Sequence, residues 1–143
     1  ICFISRTMIQ RIQTLWLLLA SICAFASIKL PFYYGSLEVP GPTVTITPYD
    51  HFILLVLVIA TALVALINIF IFSNRSLQIK ISIAGLVLGL MNLTHYYLFM
   101  RGFKTGGLSL YSVLSFLVPV FFILAIRSIY KDQKLLKSLD RLR

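Results

Sequence analysis

The stretch GLVLGLMNLTHYY, residues 85–97, sets two glycines, an asparagine and a histidine inside an otherwise apolar run. At 100° per residue, Ser82, Gly85, Gly89, Asn92, His95 and Tyr96 fall within a sector of about 140°, the width of one buried stripe on a helix. Gly85 and Gly89 form GxxxG, which in lipid lets two backbones approach closely. Asn92, about one turn further on, can hydrogen-bond across that contact. The stretch reads as a membrane helix whose small and polar face turns toward other helices.

Composition places the whole chain in the same solvent. Of 143 residues, 59% are hydrophobic and 12% charged, and the mean hydropathy is +0.96. Soluble domains carry about 25% charged residues, so this is an integral membrane protein. Four apolar segments, 12–30, 52–72, 81–100 and 108–129, each approach the roughly twenty residues that cross a hydrocarbon core of about 30 Å. Their connections are short, so consecutive helices run antiparallel and pack side by side. The expected fold is an all-α, up-down bundle of four transmembrane helices forming a single domain.

Charge orients it. The chain has 13 Lys and Arg against 4 Asp and Glu. In a soluble protein a net charge of +9 would suggest nucleic acid; here topology accounts for it, and no nucleic-acid partner is expected. Arg6, Arg11, Arg75, Lys80, Arg127, Lys131, Lys134, Lys137, Arg141 and Arg143 fall on one side, and only Lys29, Arg101 and Lys104 on the other. The positive-inside rule puts both termini in the cytoplasm. Phe32, Tyr33, Tyr34, Tyr49, Tyr96, Tyr97, Phe103 and Tyr111 mark the outer ends as an aromatic belt.

The outer loop, 35–48, holds strand-like runs at 37–39 and 43–47 around Pro40-Gly41-Pro42, which predicts a small β-hairpin. Thr47, Pro48 and Asp50 predict a capping arrangement for the second helix, with Asp50 as a capping carboxylate rather than a catalytic one. Arg11, the apolar run after it and Ala24-Phe25-Ala26 imitate a signal peptide cleaved after Ala26. The apolar stretch continues past that site into aromatic residues, which favours a retained span. Cys2 and Cys23 form no CxxC and support neither a disulfide framework nor a redox motif.

The other helices carry stripes like that of the third: Ala20, Ala24 and Ser27 on the first, Thr61, Ala65 and Asn68 on the second, Ser112, Ser115 and Pro119 on the fourth. Lipid tails are as apolar as leucine, so small residues and interhelical hydrogen bonds must hold such a bundle together, and the stripes are expected to face inward. Gly85, Gly89, Asn92, Asn68, Ser115 and Pro119 are the expected packing residues. His95, with Asn92, is the candidate polar site, because an ionisable group within the membrane is a functional hypothesis by default. Its position near the outer end favours a structural histidine over a ligand or proton site. No metal or other cofactor is expected, since His51 is the only other histidine and no cysteine or carboxylate cluster accompanies either.

Beyond the fourth span, the tail at 130–143 reads as a basic amphipathic helix. Lys131, Lys134, Lys137, Arg141 and Arg143 supply a surface for anionic headgroups or a partner, and Leu135, Leu136, Leu139 and Leu142 an apolar side.

The opening MIQRIQTLWLLLA, residues 8–20, and the ending RSIYKDQKLLKSLDRLR, residues 127–143, resemble the two ends of a bacterial family of small four-span membrane proteins, the domain-of-unknown-function family 4293 of the Bacteroidota. The resemblance implies a four-helix inner-membrane protein and supplies no catalytic or binding residues. It also implies that residues 1–7, which precede Met8, are not native.

Within the spans the sequence shows no carboxylate, no paired ionisable groups, no phosphate-binding glycine loop and no nucleophile with a base. The leading expectation is a non-enzymatic subunit, scaffold or assembly factor that binds other membrane components or copies of itself. The alternative is a small homo-oligomeric transporter or channel with a cavity near Asn68, Asn92, His95, Ser115 and Pro119. An enzyme using Asp50, His51 and His95 ranks third, because adjacent residues do not share a helical face.

Overall fold

The computed structural model describes residues 2–71 and 73–141, with the side chains of 2–11 outside that description. The readings made for residues 1–7, Arg11, Leu142 and Arg143 therefore lie outside the described residues. Four α-helices dominate: α1 (Cys2–Ser27), α2 (Phe52–Phe70), α3 (Arg75–Met100) and α4 (Ser112–Arg141). A small sheet joins their connections, made of β1 (Tyr33–Ser36), β2 (Val44–Ile46) and β3 (Thr105–Leu108).

Three helices, α2, α3 and α4, are long and apolar enough to cross a membrane. The apolar part of α1, Ile12–Ser27, is shorter. It stops earlier than the expected 12–30 because Lys29 and Pro31 follow, and a proline disfavours helical backbone in the residue before it. The outsides of all four helices are apolar: Leu18, Ile22, Val56, Leu63, Val87, Leu90, Val120 and Ile123 are exposed. This apolar exterior suits lipid as the surrounding solvent, and with three helices long and apolar enough to cross it the chain is a membrane protein.

The helices pack in a ring, each against its chain neighbour, with α4 returning to α1. Their buried residues recur at alternating steps of four and three. On α1 the series is Gln13, Leu17, Ala20, Ala24 and Ser27, with Ser21 buried beside it; on α2 it is Leu54, Val58, Thr61, Ala65 and Asn68, with Ala62 beside it. On α3 they are Gln78, Ser82, Gly85, Gly89, Asn92 and Tyr96. An average step of about 3.5 residues keeps one seam facing its neighbours over many turns, as in coiled coils. Leu17, Ala20, Ala24, Val58, Ala62, Ala65, Val118, Phe122 and Ala125 form the central core. Small residues dominate it, as close packing without a hydrophobic driving force requires.

Several expected boundaries move. The third helix begins at Arg75, not 81, because the Asn74 side chain accepts a hydrogen bond from Leu77 N at 3.3 Å and caps the added turns. The fourth begins at Ser112, not 108, because residues 105–108 are taken by β3. It then runs unbroken to Arg141, so the basic tail is the end of α4 and not a separate helix. The second helix is preceded by a short 3-10 turn, Pro48–Asp50, and its N-cap is His51 instead of Thr47. Asp50 accepts a hydrogen bond from the Thr47 hydroxyl rather than completing a capping box.

The hairpin exists with a shifted first strand. β1 pairs with β2 antiparallel, Tyr33 opposite Ile46 and Gly35 opposite Val44, so 37–43 is the loop and not a strand followed by a turn. β1 also pairs with β3, Tyr33 opposite Leu108 and Ser36 opposite Thr105, which gives the order β2-β1-β3. β3 lies outside any expectation because Thr105-Gly-Gly-Leu108 holds two glycines, which weaken a strand on its own. The sheet closes one end of the bundle over a second core of Phe32, Ile46, Leu54 and Tyr96. Phe32 and Tyr96 stack with ring centroids 3.8 Å apart and are buried. Neither belongs to the expected aromatic belt, whereas Tyr34, Tyr49, Tyr97 and Tyr111 are exposed.

Candidate functional site

The polar residues of the seam fall into three groups along the bundle. Near the sheet, Ser27, Thr61, Gly89, Asn92 and Ser115 line a cavity of about 10 Å³ with Ala24, Val58 and Val118, room for about one water molecule. Two of its hydroxyls bond back to their own helices, Ser27 Oγ to Ala24 O at 2.8 Å and Thr61 Oγ1 to Leu57 O at 2.7 Å. Among the described residues Asn92 Oδ1 finds no hydrogen-bond partner.

The middle group joins α2 to α3. Asn68 Nδ2 donates to Ser82 Oγ at 2.6 Å, Ser82 Oγ to Gln78 O at 2.9 Å, and Gln78 Nε2 to Asn68 O at 3.4 Å. Because α2 ends at Phe70 and α3 starts at Arg75, this loop of bonds sits where the two helices turn back on each other.

The third group lies at the basic end. Asp132 is buried and forms an ion pair with Arg75. Gln13 Nε2 donates to Asp132 Oδ2 at 3.3 Å and to Ser128 O at 3.4 Å. One carboxylate thus ties α1, α3 and α4. Coulomb attraction grows as water is excluded, yet each buried charge also loses hydration, so such a pair holds only with further hydrogen bonds, which Gln13 supplies.

The packing residues Gly85, Gly89, Asn92, Asn68, Ser115 and Pro119 are all buried. A Cβ at Gly85 would overlap the Phe122 ring, whereas one at Gly89 would meet Pro119 and Val118 at 3.8 Å, an ordinary contact. Both glycines face α4, and what Gly85 admits is the Phe122 ring, a side chain rather than a second backbone. His95 is not brought to the Asn92 cavity. The seam steps from Asn92 to Tyr96, leaving His95 half-buried at its edge, where Nδ1–H donates to Met91 O of the same helix at 3.2 Å. His51 packs its ring on Phe99, centroids 4.4 Å apart. Lys131, Lys134, Lys137 and Arg141 are exposed. Among the described residues no group of three or more His, Cys, Asp or Glu is arranged to hold a metal.

The expected third and fourth spans, 81–100 and 108–129, leave out Arg75 and Asp132, so this ion pair lies outside the segments in which no paired ionisable groups are read. The signal was present in the spacing. Phe122, Ala125, Ile129 and Asp132 prolong the buried stripe of α4, and Gln13 prolongs that of α1 by one four-residue step.

The sequence model of the family described as Domain of unknown function (DUF4293) matches residues 9–142, and the chain belongs to that family. No curated protein and no solved structure matches it.

Proposed function

We propose that the chain crosses the bacterial inner membrane four times, with both termini in the cytoplasm, and acts without enzymatic chemistry as a subunit, scaffold or assembly factor for other membrane components. The fourth crossing is supported by α1, which contributes Leu17, Ala20 and Ala24 to the same core as α2 and α4 and presents Leu18, Ile22 and Phe25 outward. The orientation rests on the surplus of Lys and Arg at the end holding Arg75 and Arg127.

One observation carries the interaction reading. α4 continues past the point where Asp132 closes the bundle, and on that extension Leu135 and Leu139 are 46% and 52% exposed beside exposed Lys134, Lys137 and Arg141. Among the described residues nothing covers the apolar or the cationic side chains of this extension, and such a helix is a surface for a membrane partner. The transport alternative draws less support, because the cavity at Asn92 and Ser115 is about 10 Å³ and His95 bonds within its own helix.

The test is purification of tagged protein from native membranes in mild detergent, wild type beside Leu135→Ser/Leu139→Ser. The reading expects a stoichiometric membrane-protein partner with the wild type and its loss from the variant. A wild-type chain that always isolates as a lone monomer overturns it.

A further inference from the structure

Two grooves run along the outer side of α4 near its basic end, one on each flank of Arg127. The first, about 370 Å³, lies between α4 and α1 and is lined by Ile12, Leu124, Ser128 and Leu135, with Arg127 and Lys131 at its edge. The second, about 450 Å³, lies between α4 and α3 and is lined by Ile83, Leu86, Ile123, Ile126 and Tyr130, again with Arg127. Arg127 is the one residue common to both linings. It and Lys131 are exposed, one helical turn apart.

We propose that this face of α4 is a binding site for one anionic glycerophospholipid, with its phosphate held by Arg127 and Lys131 and its two acyl chains lying in the two grooves, astride the helix. Depth agrees with this. Counting from Ser112 at the sheet end, Arg127 lies about 22 Å and Lys131 about 28 Å along α4, against a hydrocarbon thickness of about 30 Å. Both side chains can carry their charge to the phosphate level while their stems lie along apolar surface. Ile12 and Leu124 on one flank and Ile83, Leu86, Ile123 and Ile126 on the other lie on the bilayer side of Lys131 and are apolar, as chains require, and the ridge between them is cationic, as a phosphate requires. Asp132 also lines the first groove, but its charge is matched by Arg75 and its Oδ2 also accepts from Gln13, so it leaves the cationic ridge unopposed. A guanidinium offers paired donors to phosphate oxygens and an ammonium a second point charge.

The inference rests on the membrane-crossing reading for the depth of Arg127. A chain that does not cross the membrane would fail a topology measurement, whereas a crossing chain without lipid preference would fail only here. The experiment is native mass spectrometry of the purified full chain with dioleoyl phosphatidylglycerol or dioleoyl phosphatidylethanolamine at equal concentration. The wild type is expected to retain one phosphatidylglycerol with about thirtyfold preference, the scale set by two interfacial cations at about 1 kcal/mol each. Arg127→Gln/Lys131→Gln should bring that preference to within about twofold, while Arg101→Gln/Lys104→Gln, which removes the same charge from exposed residues at the sheet end, keeps it. An unchanged melting temperature in Arg127→Gln/Lys131→Gln separates lost binding from lost folding, and Arg127→Lys, if the double variant unfolds, should retain partial preference.

Three results overturn the proposal: equal retention of the two lipids by the wild type; equal loss in both double variants; and displacement of the bound lipid by glycerol phosphate, which would mark a site for a free anion. A lipid-free dimer broken by Ile123→Trp would do so too, in favour of a second copy of the chain.

Discussion

Gly85 and Gly89 look alike in sequence and differ in consequence. The helix-propensity gain of Gly to Ala, about 1 kcal/mol, applies at both, but at Gly85 the new methyl overlaps the fully buried Phe122 ring, which must shift within the core to admit it. Overpacking costs about 1–3 kcal/mol. Thermal melts in detergent should therefore place Gly85→Ala below the wild type and Gly89→Ala at or slightly above it; equal melting of the two variants would contradict the contact. His95 is legible in the sequence only as a polar residue near the outer end. Its turn away from the cavity follows from Tyr96 taking the seam position, where it stacks on Phe32, a partner from the α1–β1 connection. His95→Ala should shift stability by no more than about 0.5 kcal/mol, as surface substitutions do.

At the scale of elements, the basic end depends on a single carboxylate. Removing one member of a buried pair strands the other, at about 3–5 kcal/mol when both are fully desolvated. Arg75 is 17% exposed and can reach water, so Asp132→Asn is expected to cost less, about 2–3 kcal/mol. Replacing both with apolar side chains, Arg75→Met/Asp132→Leu, should recover at least half of that loss in melting experiments, because no unmatched charge remains. If the double variant is as unstable as the single one, the pair is not the linkage between α3 and α4. The helices themselves were legible because hydropathy and the spacing of small residues are local properties. β3 was not, since its two glycines have strand character only once β1, some seventy residues earlier in the chain, offers its free edge.

For the whole molecule, the decisive quantity is the number of crossings. An even number puts both termini on one side and an odd number separates them. Epitopes at the two ends of the chain should both be protected from protease in spheroplasts and both be cut after lysis. In a variant lacking Cys2 and Cys23, a membrane-impermeant maleimide should label Glu38→Cys in intact spheroplasts and Ser138→Cys only after lysis. Protection of one terminus with cleavage of the other would reduce the protein to three crossings and leave α1 outside the membrane.

The sequence by itself determined the solvent, the presence of four helical segments and the small-residue stripe on each, because these follow from composition and from periodicities of three and four residues within single segments. Only the tertiary structure decided which glycine meets a neighbour, which polar residues close on one another and which stay outside, and that Gln13, Arg75 and Asp132 converge. Those outcomes depend on helix rotation and on pairing between residues far apart in the chain, and a single segment carries no record of the partner that its stripe will face.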